Sequence, residues 1–144
     1  MARTPIVQER VFDAAPEDVF AAWSEPDRLS DWMRPGPDMK EADVEIDFRV
    51  GGSFRIVMHG AEQDFVHHGE YLEIDRPRRL VLSWVSEWMP PGEEETRVTV
   101  ELAPVDGGRT HLRLTHDRLP ESNVYAGHRD GWQRILLLAG ESLA

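Results

Sequence analysis

Two hydrophobic periods divide the chain. Between residues 42 and 117 apolar residues recur at every second position; between 125 and 143 they recur every third or fourth. Period two marks half-buried β-strands and a period near 3.6 marks an amphipathic helix. The helical stretch, Tyr125–Leu143, aligns Tyr125, His128, Trp132, Ile135, Leu136, Ala139 and Leu143 on one stripe. Arg129, Asp130, Gln133, Arg134 and Glu141 lie opposite. At helical rise it reaches roughly 28 Å, most of the way across a domain of this size.

Upstream, Ile6–Phe12 alternates as a first strand. AAPEDVFAAW then predicts a short helix, with Pro16 suited to its first turn, Glu17 and Asp18 near its N-terminal dipole and Val19, Phe20 and Trp23 on its apolar face. A second short helix is predicted over Asp27–Trp32 and is stopped by Arg34-Pro-Gly-Pro37. Strands follow at Ala42–Phe48, Ser53–His59, Phe65–Asp75, Arg79–Val85, Thr96–Ala103 and Arg109–Asp117. Gly51-Gly52 and Asp106-Gly-Gly108 are hairpin turns, and Asp75-Arg-Pro77 is a further turn. Short turns make antiparallel neighbours, and clean alternation makes a sheet with one wet and one buried face. The expected fold is α+β: a curved antiparallel sheet of six to seven strands around a long C-terminal helix, with two short helices after the first strand. This is the helix-grip arrangement, and residues 1–144 form one domain of it.

Composition narrows the function. Lys+Arg 16 against Asp+Glu 27 gives a formal charge of −11, poorly suited to a phosphate backbone or an anionic membrane. Neither nucleic acid nor membrane is therefore expected as a partner. With no cysteine, disulfides, thiolate nucleophiles and thiolate ligands are excluded. No apolar run resembles a signal peptide or a membrane span, so the expected compartment is the cytoplasm. An edge strand such as Ile6–Phe12 could support a homodimer.

The residues also carry a family resemblance. VFDAAPEDVFAAWSEPDRLSDWM, RVGGSF at Arg49–Phe54, GEYLEIDRPRRLVLSW at Gly69–Trp84, DGGRTHLRLTH at Asp106–His116 and the HRDGW of the last helix occur in order over essentially the whole chain. Together they resemble the SRPBCC or START-like superfamily, in the branch similar to the C-terminal domain of the activator of the heat-shock-90 chaperone's ATPase. The resemblance implies the helix-grip fold and leaves function open, because the superfamily includes lipid carriers, polyketide cyclases and co-chaperone domains. One departure is Met33, where this branch often has the second tryptophan of a Trp-Trp pair. It bears on the shape of one end of the cavity.

Candidate chemistry is sparse. His67-His68 is adjacent and on a strand would point to opposite faces; no HxH, HExxH or GxSxG motif occurs among the six histidines and the serines. Neither a metal nor a cofactor is expected. Trp23, Trp32 and Trp132 belong on apolar stripes and read as core. If Leu72 and Ile74 face the helix, alternation turns Glu70 and His68 inward too; if Leu112 and Leu114 do, so does His116. His128 lies one turn before Trp132 on the helix stripe. The favoured function is the binding of a small apolar or aromatic molecule between helix and sheet. Phe54, Met58, Trp84, Trp88, Leu114 and Trp132 would be its walls, and His68, Glu70, Leu72, His116 and His128 would complete the lining. The alternatives are a cyclase, hydratase or isomerase using Glu70, His68 or His116 as general acid–base, and a co-chaperone-like interaction domain using an outer face.

Overall fold

The computed structural model describes residues 5–34, 38–60, 62–87, 96–119 and 123–143, the side chains of 123–126 excepted. The elements run β1 (Ile6–Phe12), α1 (Pro16–Ser24), α2 (Pro26–Trp32), β2 (Asp43–Ile46), β3 (Ser53–His59), β4 (Asp64–Asp75), β5 (Arg79–Ser86), β6 (Thr96–Val105), β7 (Arg109–Asp117) and α3 (Asn123–Leu143). All strand pairs are antiparallel, and the seven strands lie in the order β1-β7-β6-β5-β4-β3-β2. The curved sheet holds α3 on its inner face, the helix-grip architecture expected from the alternation.

Local sequence explains the helix starts. Pro16 and Pro26 each occupy the first turn of a helix, where a missing N–H costs nothing. Val19, Phe20 and Trp23, spaced one and three apart, turn α1 into the core. Trp32 closes α2 with no exposed surface and donates from Nε1 to the Ala22 carbonyl at 3.1 Å. Met33, beside it, is buried in the same core; it does not line the cavity described below.

β2 is shorter than the alternation over Ala42–Phe48 implies. Residues 47–52 form a tight loop instead, in which Asp47 N–H donates to the Ser53 carbonyl and Gly52 N–H to that of Arg49. Gly51 has φ +84°, and a Cβ on Gly52 would lie 2.0 Å from the Asp47 carbonyl oxygen, so the loop requires both glycines. Phe48 leaves the strand yet packs edge-on against Phe20 and Tyr71 at 5.9 and 4.9 Å.

The inner face is apolar across the sheet: Phe54, Ile56 and Met58 on β3, Leu80, Leu82 and Trp84 on β5, Val98, Val100 and Leu102 on β6, and Leu112 and Leu114 on β7. Against them α3 sets Trp132, Ile135, Leu136 and Ala139. Each such large side chain contributes roughly 1.5–3 kcal/mol on burial, which fixes α3 more firmly than its own propensities do.

β4 departs from the expected parity. His67 and Tyr71 are buried, while His68, Glu70 and Leu72 lie on the outer face, Leu72 with 39% of its surface exposed. The pairing with β5 shifts by one residue between Tyr71 and Glu73, a β-bulge. An extra residue reverses which side chains face inward beyond it. Ile74 therefore packs against the core from the same side as Tyr71, three positions away.

Candidate functional site

One end of the inner face is polar, and register explains how. His67 on β4 stands opposite Ser86 on β5, and Trp84, two residues before Ser86, stands opposite Thr96 on β6. Two residues after Thr96, Val98 pairs with His116 of β7. His67, Trp84, Ser86, Thr96 and His116 thus meet in one row, and α3 lowers His128 and Trp132 onto it. All seven are buried.

These groups form two hydrogen-bonded sets. In the first, Trp132 Nε1 donates to His116 Nδ1 at 2.9 Å, His116 Nε2 lies 2.7 Å from Thr96 Oγ1, and Thr96 Oγ1 donates to the Trp84 carbonyl at 2.6 Å. The direction is forced. An indole N–H only donates, so His116 Nδ1 must accept; the neutral ring then carries its proton on Nε2 and gives it to the Thr96 oxygen. Burial, reinforced by His128 and His67 nearby, holds His116 well below the usual imidazole range. Both of its nitrogens are committed to holding β6, β7 and α3 together. That removes His116 as a general base.

In the second set Ser86 Oγ is the hub. It lies 2.7 Å from His67 Nδ1 and 3.0 Å from His128 Nε2, and accepts from Trp84 Nε1 at 3.2 Å. The Trp84 N–H is shared with His128 Nε2 at 3.3 Å. A hydroxyl donates one proton and accepts two. With one acceptor position taken by Trp84, one imidazole must donate to Ser86 and the other must accept from it. His67 stacks on Trp84 with ring centroids 4.8 Å apart. Burial, with His128 and His68 adding to it, lowers its pKa to about 3, so the ring is neutral at ordinary pH.

Beside this set lies a cavity of about 310 Å³, lined by Met58, Phe65, His67 and Trp84 from the sheet and Gly127, His128, Gly131, Trp132, Arg134 and Ile135 from α3. Its size falls at the small end of ligand pockets, roughly 300–1,000 Å³. α3 leaves room for it through glycine. A Cβ on Gly131 would meet nothing within 4 Å, so neither packing nor backbone geometry requires glycine there, although glycine in a helix interior is costly.

Of the residues singled out from sequence, Met58, Trp84, His128 and Trp132 line this cavity. Phe54, Leu114 and His116 are buried in the core around it. His68, Glu70 and Leu72 do not reach it; the bulge in β4 puts them on the outer face, which corrects their inward assignment. Trp88 lies outside the described residues. Sequence reasoning missed His67, Ser86, Phe65, Gly131, Arg134 and Ile135. One signal was present: an unpaired inward Glu70 carboxylate would have cost several kcal/mol, whereas inward His67 could stay neutral. Among the described residues no three His, Asp or Glu side chains are grouped to hold a metal, and no helix is long and apolar enough to cross a membrane.

The family model for activator of Hsp90 ATPase homolog 1-like protein matches residues 13–138. The chain belongs to that family. Among solved structures it is similar to protein CV1439 from Chromobacterium violaceum, with 23% identity, 98% of each chain covered and a TM-score of 0.81. The Hsp90 activator PFC0360w from Plasmodium falciparum is 25% identical over 94% of this chain and 92% of its own, with a TM-score of 0.77. CalU16 from Micromonospora echinospora is 26% identical over 97% of this chain and 76% of its own, with a TM-score of 0.72. No curated protein matches the sequence.

Proposed function

We propose that this family member binds a small, largely apolar molecule in the cavity between β3–β5 and α3. The observation that carries the reading is the cavity itself, about 310 Å³, kept open on the helix side by a glycine that packing does not require. Its walls are mainly apolar or aromatic, with few polar groups, as ligand sites have. Chemistry by the expected acid–base residues is not supported: His68 and Glu70 lie on the outer face, and His116 is fully committed.

Native mass spectrometry of freshly purified protein, compared with its denatured mass, tests this directly. Extra mass that leaves on denaturation is the expected result. Gly131→Leu, which fills the space beside Trp132, should abolish the adduct while the protein stays folded. An adduct retained by the folded variant would place the ligand elsewhere.

A co-chaperone role is the second reading, supported by the family match and by the similarity to the Plasmodium Hsp90 activator. It calls for stimulation of an Hsp90-class ATPase by the purified protein; a rate unchanged at saturating protein rejects it.

A further inference from the structure

Among the described residues, hydrogen bonding around the cavity leaves one polar atom of His67 over. His67 is 5% exposed, lines the cavity and makes its side-chain hydrogen bond through Nδ1, to Ser86. Its Nε2 has no partner among the described residues. Nor is it a sealed, unsatisfied atom: among the buried side-chain nitrogens and oxygens of the described residues, only Arg97 Nε is both inaccessible and unpaired. His67 Nε2 therefore borders the cavity space, an unpartnered polar atom on a buried ring.

Ser86 decides what that atom can do. If Ser86 donates to His128, His67 must carry its proton on Nδ1, and Nε2 presents a lone pair to the cavity. If Ser86 instead donates to His67 Nδ1, the His67 proton sits on Nε2, and Nε2 presents a donor. In that arrangement His128 Nε2 donates to Ser86, and the Trp84 N–H bonds to Ser86 alone. Both arrangements satisfy the donor and acceptor rules at Ser86, Trp84 and His67. They differ by a rotation of one hydroxyl and the ring protons of two histidines.

Resting on the cavity reading above, we infer that His67 Nε2 is a ligand-anchoring group that takes one uncharged oxygen of an apolar molecule, a ketone or a phenol, with Ser86 and His128 setting whether it donates or accepts. A ketone oxygen only accepts and requires the Nε2–H form. A phenol is served by either form. Among the described residues the anchor end offers no charged group: with the His67 ring neutral, Arg134 is the charged side chain of the lining, and it is exposed. Aromatic or aliphatic bulk fits against Trp84, Trp132, Met58, Phe65 and Ile135. An ammonium group is disfavoured at this end, since no described residue there would compensate for its desolvation.

The test uses naphthalene, 2-naphthol and 2-acetylnaphthalene as probes, with dissociation constants from isothermal titration calorimetry on the full chain. The oxygenated probes should gain, relative to naphthalene, roughly three- to tenfold in affinity over the same comparison in His67→Phe, the size of one net hydrogen bond. Naphthalene affinity itself should change little in that variant. If naphthalene binds and the oxygen preference is the same in both proteins, the anchor is overturned while the cavity reading stands. If no probe binds the wild type, the cavity reading fails and takes the anchor with it. Imidazole ¹⁵N shifts of the wild type give an answer that needs no variant. With 2-acetylnaphthalene bound, His67 should show a protonated Nε2 and an unprotonated Nδ1. The opposite tautomer, or a ring untouched by the probe, overturns the assignment.

Discussion

Two imidazoles that pack against the Trp84 ring are neutral for the same reason and serve different ends. His116 spends both nitrogens inside the protein, on Trp132 and Thr96; His67 spends one, on Ser86. Burial lowers both pKa values, His67 to about 3 and His116 well below its usual range. Unfolding returns them to about 6.5. Below that pH the unfolded chain binds more protons than the folded one, so the stability these residues contribute is complete above about pH 6.5 and is lost on acidification. Between pH 7.5 and 5.5 the two histidines should each cost on the order of 1 kcal/mol. Urea denaturation at the two pH values measures this, and His67→Phe should reduce the loss by about half. A profile flat across that interval would contradict the burial of both rings. The sequence pointed to His116 and His128, because both sit on clean apolar stripes. It pointed to His68 rather than His67, because a single alternation was carried through β4 from Leu72 and Ile74. The extra residue between Tyr71 and Glu73 interrupts that count, and the cost of turning the Glu70 carboxylate inward was its one trace in the sequence.

At the scale of elements, two glycines do opposite work. Gly69 sits where β5 backbone crowds β4: a Cβ there would lie 2.1 Å from the Ser83 carbonyl oxygen, backbone that cannot move aside without breaking the ladder. Gly69→Ala should therefore destabilise the protein by about 2–3 kcal/mol, through overpacking. Gly131→Ala should have the other sign. It gains about 0.5–1 kcal/mol of helix propensity with no clash to offset it, while its methyl group intrudes on the cavity and weakens naphthalene binding. Denaturant midpoints with the slope unchanged measure both. A Gly131→Ala protein no more stable than wild type would mean that glycine serves the fold there and not the cavity. The elements themselves were legible: Pro16 at the first helix start, glycine pairs at two turns, and period two through the strands. Less legible was the end of β2, where loop 47–52 takes Phe48 out of the strand for a place against Phe20 and Tyr71.

At the scale of the whole molecule, the cavity lies between the sheet and the helix that the sheet is built around, so filling it should strengthen the contact on which the domain's cooperativity rests. A ligand that binds only the folded state at one hundred times its dissociation constant adds about 2.7 kcal/mol to stability. In a chain of 144 residues that corresponds to an increase of roughly 9 °C in Tm. Calorimetric melting with 2-naphthol at that excess should show the increase in wild type. In Gly131→Leu it should be absent, although the unliganded variant melts no lower than wild type. The comparison separates interior from surface binding, because a site on the outer face or along a sheet edge does not change when a side chain is added on the inner side of α3. Equal shifts in both proteins would move the ligand out of the cavity and return weight to the proposed outer interaction surface.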